Sequence, residues 1–468
     1  MYARGSKGNA MCANAYGFVY GCLLAAVASI FAPPTYGQPP DASPGTTSAP
    51  KPVPGMLTPD PPPVPAVADV GGPREAVSGG PTINELERIA MQNNPTLAQA
   101  AHRVEALQGE QLQVGLYPNP VVGYQAEEIG ENHRAGQHGM FFSQEIVTAN
   151  KLGLNRAVAS QQIRQAEWEF AMQRLRIVNA VRSRAYEVMA AQRSMALAEE
   201  LVAIGKAATD TAERLSKARQ VSQVDVLQAR VEANSAWLQV VAARKAHAAA
   251  WRQLAVVVGV PGMEPATLAG RLDDDLPELA WNDSVSALLN GSPQLARAAA
   301  GVARAQCAVA QACAQRTPNI ETSASVRYND DSNDTTVSLL LGVPLMIHNR
   351  NQGNIMKAQA ELAAAQHEVK RVELLLQEQL AAAFRDYEVA REQVDQYRRD
   401  ILPDAKRSLE LVRTGYQQGE FGYLQLLTAQ QTYSRTNLAY VERLRELRLR
   451  AVEIQGMLLT GGLQSPGP

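Results

Sequence analysis

The sequence predicts a mainly α-helical protomer with a small β-sheet, whose trimer closes a 12-stranded membrane β-barrel continuous with a long α-helical barrel. Three observations lead there: the chain repeats itself at a spacing of about 200 residues, its helical runs reach about 100 Å, and it offers four β-strands, too few to close a barrel alone.

The composition suits rods better than a large globular core. The chain has 468 residues, 46% of them hydrophobic but only 5% aromatic, and alanine, glutamine and leucine fill long stretches. Its 44 basic and 46 acidic residues form no basic domain, which argues against a nucleic-acid partner.

The N-terminus reads as an export signal over residues 1–37. Arg4 and Lys7 supply the charged region, Phe18 to Phe31 the apolar one, and Thr35 and Gly37 a small-residue cleavage site. Cys22 closes a lipobox-like Val19-Tyr20-Gly21-Cys22, although most of the apolar run follows the cysteine, where a lipobox needs it before. Residues 38–81 form a proline-rich tether: 15 of the 27 prolines fall within 33–81. No later window holds 18 consecutive apolar residues, so no helix is available to span a membrane. Of the cysteines, Cys307 and Cys313 remain, on different faces of one helix and therefore unsuited to an intrahelical disulfide.

The repeat divides the rest into residues 82–258 and 282–460, joined by a connection over 259–281 and followed by a tail over 461–468. Each copy opens with a cap followed by proline, Asn94-Pro95-Thr96-Leu97 and Ser292-Pro293-Gln294-Leu295. Asn or Ser can accept from the orphan amides of the first turn, and proline there has no amide to leave unpaired. Each such helix stops at a Pro-Asn pair, Pro118-Asn119 and Pro318-Asn319. Then Asn150-Lys151 matches Asn349-Arg350, Tyr186-Glu187-Val188 matches Tyr387-Glu388-Val389, and Val224 to Ala229 matches Leu424 to Ala429. One nearly constant offset across these landmarks marks a duplication.

Helical patterns run from Asn150 to about Lys217 and from about Asn349 to Gln417. Shorter ones lie near 95–116, 223–258, 293–316 and 420–459, so each copy pairs one rod with two shorter helices stacked end to end. Gly205 and Pro403 fall at similar depths in the two rods, and a bend is expected there. The apolar residues are mostly small, alanine above all, which allows close helix approach along two narrow seams; taken alone, however, the helices favour an ordinary antiparallel bundle with a filled core.

The strands decide the class. Ile320, Thr322, Ala324, Val326 and Tyr328 alternate with Glu321, Ser323, Ser325 and Arg327, and a returning strand aligns Val337, Leu339, Leu341, Val343 and Leu345. In the first copy Val122, Tyr124 and Ala126 alternate with Gly123, Gln125 and Glu127, and Met140, Phe142 and Ile146 return. Strands of this length, apolar on one face, match a bilayer crossed at a tilt. Ile320, Val326, Tyr328, Val337, Leu339 and Leu341 are the lipid-facing candidates, and Glu321, Ser323, Ser325 and Arg327 line the barrel lumen. Lipid does not tolerate open sheet edges, so symmetric association supplies the missing strands, and three copies give 12.

The export signal, the duplicated helix–hairpin–helix–helix unit, the Pro-Asn stops and the Tyr-x-x-Gly tip at Tyr416 to Gly419 resemble the TolC-like outer-membrane factors. Ser143-Gln144-Glu145-Ile146 leading to Lys151, with Arg156 beyond, is similar to their cation-efflux branch. The resemblance implies a homotrimer with its barrel in outer-membrane lipid and its helices in the periplasm. Such a duct accepts substrate, here heavy-metal cations, from a periplasmic adaptor and an inner-membrane pump, and it performs no catalysis and needs no cofactor.

The resemblance also places a periplasmic aperture where the paired helices turn, with Tyr416, Asp225, Glu420, Gln425 and Thr428 as candidates. Gln425 and Thr428 stand where the family carries acids, Phe421 where it carries arginine, and Arg219 where it carries glycine. Glu420 and Asp225 remain for a lumen-facing negative ring that attracts cations. Glu127, Glu128, Glu131, His133 and His138 lack metal-site spacing, and Asp330, Asp331 and Asp334 lack that of a calcium loop. Two other readings are a duct for drug efflux or type I protein secretion, and a pore-free periplasmic coiled-coil adaptor or scaffold.

Overall fold

The computed structural model describes residues 80–130 and 136–464. The export signal with Cys22, the tether up to residue 79, and Glu131 and His133 lie outside them.

Nine helices and four strands follow one another in two similar series among these residues. The first is α1 (Ile83–Asn93), α2 (Pro95–Gln113), β1 (Val121–Glu127), β2 (Gln137–Ile146), α3 (Lys151–Lys217) and α4 (Gln223–Val258). The second is α5 (Trp281–Gly291), α6 (Pro293–Ala314), β3 (Ile320–Asn329), β4 (Asp334–Gly342), α7 (Gln352–Gln396), α8 (Leu402–Gln418) and α9 (Tyr423–Gln455). A π-turn, Tyr397–Ile401, joins α7 to α8.

Local chemistry explains the helix starts. Thr82 and Glu85 cap α1 reciprocally, as Ser222 and Asp225 cap α4. Asn94 accepts from the Thr96 amide and donates to the Val257 carbonyl at 3.0 Å, stacking α2 on the end of α4. Its counterpart differs from expectation: Ser292 makes no side-chain cap, and its buried Oγ has no partner. The rod starts also pair differently. Asn150 and Asn351, both left-handed, open α3 and α7, two residues beyond the match made on Asn349. Loop geometry, not residue identity, fixes that equivalence.

α3 is 67 residues long, about 100 Å at 1.5 Å per residue, and Gln352–Gln418 forms an equal rod through α7, the π-turn and α8. The two rods meet their expected bend sites differently. α3 runs through Gly205 without a change of helix type, and the Gly205 backbone packs closely on Ala233. In the second rod Pro403 withholds the amide that would pair with the Arg399 carbonyl, and the helix widens into the π-turn just before it.

The helices form an arc of four columns: α2 over α4, then α3, then α6 over α9, then α7 continued by α8. One sheet caps the arc, with strand order β1-β2-β3-β4, all antiparallel. The two hairpins thus pair with each other through β2 and β3, a contact the sequence pattern did not disclose. The arc and the sheet stop at the same two borders, β1 with α2 and α4 on one side, β4 with α7 and α8 on the other.

The main core lies around the middle of the rods, where Ile177, Val188, Trp251, Leu254, Leu376, Tyr387 and Leu447 are buried together. The connection between the copies is pinned here. Tyr387 Oη donates to the Pro277 carbonyl and accepts from the Leu279 amide. Buried Arg448 donates to the Leu272 and Asp275 carbonyls and lies over the Tyr186 ring. The repeated tyrosines Tyr186 and Tyr387 therefore serve different contacts. A second, smaller core fills the end of the rods remote from the sheet.

Candidate functional site: the sheet faces and the helical tip

The strand register sorts the sheet into two chemically distinct faces. On one, Val122 and Tyr124 align with Phe142 and Met140, then with Ala324 and Val326, then with Leu339 and Val337. Ile146, Ile320, Tyr328 and Leu341 extend that face. Its large side chains are open to solvent in the protomer, Leu339 being 71% exposed. On the other face lie Glu127, Gln125, Ser143, Glu145, Glu321, Ser323, Ser325, Arg327, Asn329 and Ser338, interrupted by Phe141 and Leu340. All six lipid-facing candidates share the first face and all four lumen candidates the second. β4 ends at Gly342, so Val343 and Leu345, expected on the returning strand, lie beyond it in irregular chain.

Ten residues of β3 at about 3.4 Å each, tilted as barrel strands are, rise about 25 Å, the height of the apolar band of a membrane barrel. Tyr124, His138 and Tyr328 lie on the apolar face toward the hairpin loops, and Tyr124 Oη meets His138 Nδ1. Glu127 is on the opposite face, held by Gln125 and Arg327. Glu127 and His138 thus lie on opposite faces of the sheet.

The junction of sheet and helices is tied by the segment read as a subfamily signature. Asn319 of the second Pro-Asn stop accepts from Lys151 Nζ and donates to Glu145 Oε1, each at 2.6 Å. Burial draws the Lys151 ammonium below its ordinary range, and the Glu145 carboxylate opposes that shift. Asn155 and Arg156 donate to the carbonyls of Val114 and Gly115, and Asn351 to that of Ala312. These bonds occupy carbonyls that helix ends leave without partners.

At the other end, two turns close the rods. The Gly419 and Glu420 amides donate back to Tyr416 and Gly415, and those of Arg219 and Gln220 to Ser216 and Leu215. Gly419 adopts φ +78° and Arg219 φ +55°, so the first tip makes the same turn with a residue strained by it. Gly415 leaves room for the Phe421 ring, which an added Cβ would meet at 2.4 Å.

The aperture candidates are placed unequally by this fold. Gln425, Thr428 and Glu420 are exposed. Asp225 is half-buried, its carboxylate accepting from the Ser222 amide and hydroxyl. Tyr416 is 1% exposed and packs with Tyr423, Val226 and Ala212, joining the two tips. Its hydroxyl has no partner; burial first, and Asp225 second, raise it above the usual phenol range. The same causes push Tyr423 up to about 12, with Glu232 adding to the effect. Exposed Phe421 and Leu424 flank the candidates, an apolar surround that sequence comparison read only as a missing arginine.

The pattern of the family "Outer membrane efflux protein" matches residues 86–260 and 284–458, one stretch for each copy of the repeat. The cobalt-zinc-cadmium resistance protein CzcC of Cupriavidus metallidurans is 26% identical over 386 residues, 82% of this chain and 91% of the relative. Among solved structures, CusC superposes with a TM-score of 0.68 at 17% identity, over 81% of this chain and 92% of its own. The open state of the Neisseria gonorrhoeae MtrE outer membrane channel gives 0.66 at 19% identity, over 82% and 90%. The family's pattern covers both copies of the repeat, and the chain belongs to the outer membrane efflux protein family: it is an efflux channel component of the outer membrane.

Proposed function

We propose that three copies of this chain close into one continuous duct that passively conducts heavy-metal cations out of the cell. One observation carries the closure. Among the described residues, large exposed apolar side chains are missing from α3 and α6 and limited on α9 to Leu424 and Leu438, whereas border helix α4 exposes Val224, Leu227, Val231, Trp237 and Leu238. Border helices α7 and α8 add Met356, Leu374, Val389 and Leu411. The unpaired strands β1 and β4 lie at these same borders. A second copy satisfies both needs at once: its β1 continues β4 in the antiparallel sense, and its α2 and α4 cover α7 and α8. Three copies give 12 strands, enclose the polar face and turn the apolar face to lipid.

The cargo reading rests on the likeness to a cobalt-zinc-cadmium resistance protein and on carboxylates at both ends of the helical part of the path, Asp225 and Glu420 at the tip and Glu321 and Glu145 at the junction with the sheet. Rings of such groups raise the local cation concentration. Nothing in the path needs a chemical step, so the duct works as a conduit fed by an adaptor and an inner-membrane pump. Gln425 and Thr428 leave the tip less acidic than an all-carboxylate ring.

Two measurements test this. The mass of the detergent-purified full chain must correspond to a trimer; a monomer overturns the closure. A deletion strain must lose tolerance to zinc, cobalt or cadmium; unchanged tolerance with increased drug sensitivity overturns the cargo.

A further inference from the structure

The loop end of the sheet's polar face carries an ion pair. Arg327 Nη1 donates to Glu127 Oε2 at 2.6 Å, and Nη2 to Ser338 Oγ at 3.2 Å. Gln125 donates to the other oxygen of Glu127. Ser338 is on β4, Arg327 on β3 and Glu127 on β1, so the contact crosses the sheet from one border strand to the other. It passes over β2 at Gly139, the register partner of Arg327. A Cβ there would lie 2.5 Å from Arg327 Cγ and 2.2 Å from the Val326 carbonyl oxygen. Glycine thus leaves the space in which the long side chains lie flat against the wall. The Arg327 side chain keeps 22% of its surface exposed and that of Glu127 44%, so the pair still borders the space in front of this face.

Hydrogen bonding alone does not require this arrangement, because Gln125 already engages Glu127. What Arg327 adds is a balancing charge. From that face toward the helices, the next residues are the uncharged Ser325, Ser338, Ser323 and Ser143, down to Glu321 and Glu145 at the junction.

We infer that Arg327 and Glu127 form a charge-balancing clamp at the outer mouth of the duct, which keeps that mouth from trapping charged cargo as it leaves. The inference rests on the closed-duct reading above, which puts three such pairs around one lumen. Conduction needs an exit site that binds weakly. Three unopposed Glu127 carboxylates would hold multivalent cations, and three unopposed Arg327 guanidinium groups would repel them.

The test uses the purified full chain in planar lipid bilayers under a potassium chloride gradient. Near 10 mM salt the Debye length is about 30 Å and wall charges act across the lumen. Arg327→Gln must shift the reversal potential toward cation selectivity, Glu127→Gln toward anion selectivity, and the double variant must return toward the wild type. A mouth potential of roughly 0.5–1 kT changes the cation-to-anion ratio by about three- to seven-fold. A role confined to holding the strands would move both single variants in the same direction and worsen in the double variant. That result, or no shift, overturns the inference while leaving the duct intact. Absence of any wild-type current overturns the duct reading and the clamp together. Glu127→Arg combined with Arg327→Glu keeps the pair and must behave as the wild type, which guards against misassembly of a single variant.

Discussion

Ser323 and Ala324 are consecutive residues at the middle of β3, and the register puts them on opposite faces. Ser323 aligns with Ser143 and Leu340, and Ala324 with Phe142 and Leu339. Arginine at each position therefore makes a paired experiment in which depth, strand and backbone are the same. With Ala324 near the middle of a rise of about 25 Å, Ala324→Arg puts a guanidinium close to the bilayer midplane, at about 2–4 kcal/mol. That is roughly a 30- to 900-fold loss per protomer, repeated three times in the closed barrel. Ser323→Arg is on the polar face with Glu321 and Glu145, which the proposed closure turns to the lumen, and is expected to cost less than about 1 kcal/mol. The assay is the yield of heat-modifiable trimer in outer-membrane fractions at matched expression. Ala324→Arg must lose most of it and Ser323→Arg retain it. Equal yields, or the reverse order, would refute the assignment of faces and with it the closed barrel.

Three further expectations concern the helical part. At the tips, Gly419→Ala should destabilise by about 1–2 kcal/mol because φ is +78°, whereas Arg219→Gly relieves the same strain and should be neutral or stabilising; protease sensitivity of the turn reads both. Asn94→Ala removes a cap and a buried bond to Val257 and should cost about 1–3 kcal/mol by denaturant unfolding. Ser292→Ala, which loses only a hydroxyl without a partner, should cost far less, and equal losses would contradict the difference seen between the caps. Tyr423, pushed up to about 12 mainly by burial, is held neutral when folded. Its contribution is thus complete below pH 10 and declines between about 10 and 12, as the unfolded phenol ionises and the folded one resists. Tyr423→Phe should flatten that part of the stability–pH curve, and an unchanged slope would show that another group produces it.

Much of the architecture was legible because its signals are local. A proline after a cap residue, the alternation from Ile320 to Tyr328 and the helical period from Asn150 to Lys217 each report on the few residues that carry them. The duplication added leverage, since the clearer second hairpin gave meaning to the weaker first one. Where local chemistry offers more than one outcome, reading failed. Serine at 292 can cap a helix but leaves its hydroxyl unused, and glycine at 205 can loosen a helix but here only permits close packing on Ala233. Asn349 resembles Asn150 in type, while Asn351 has its backbone conformation. The tip shows the same limit. Tyr416 and Asp225 were found by resemblance, yet burial of the tyrosine depends on Tyr423, Val226 and Ala212, which come from three helices.

By itself, then, the sequence determined the repeat, the lengths of the rods, the alternation of the strands and the shortage of strands that calls for partner copies. These follow from periodicity and from the backbone's need for hydrogen bonds, both properties of short stretches of chain. The tertiary structure decided that β2 pairs with β3, that among the described residues α3 and α6 expose no large apolar side chain while α4, α7 and α8 expose several, that Arg448 and Tyr387 hold the connection between the copies, and that Arg327 reaches Glu127 across Gly139. Each of these joins residues tens to hundreds of positions apart. Their meeting depends on packing and register, which a single stretch of sequence does not encode.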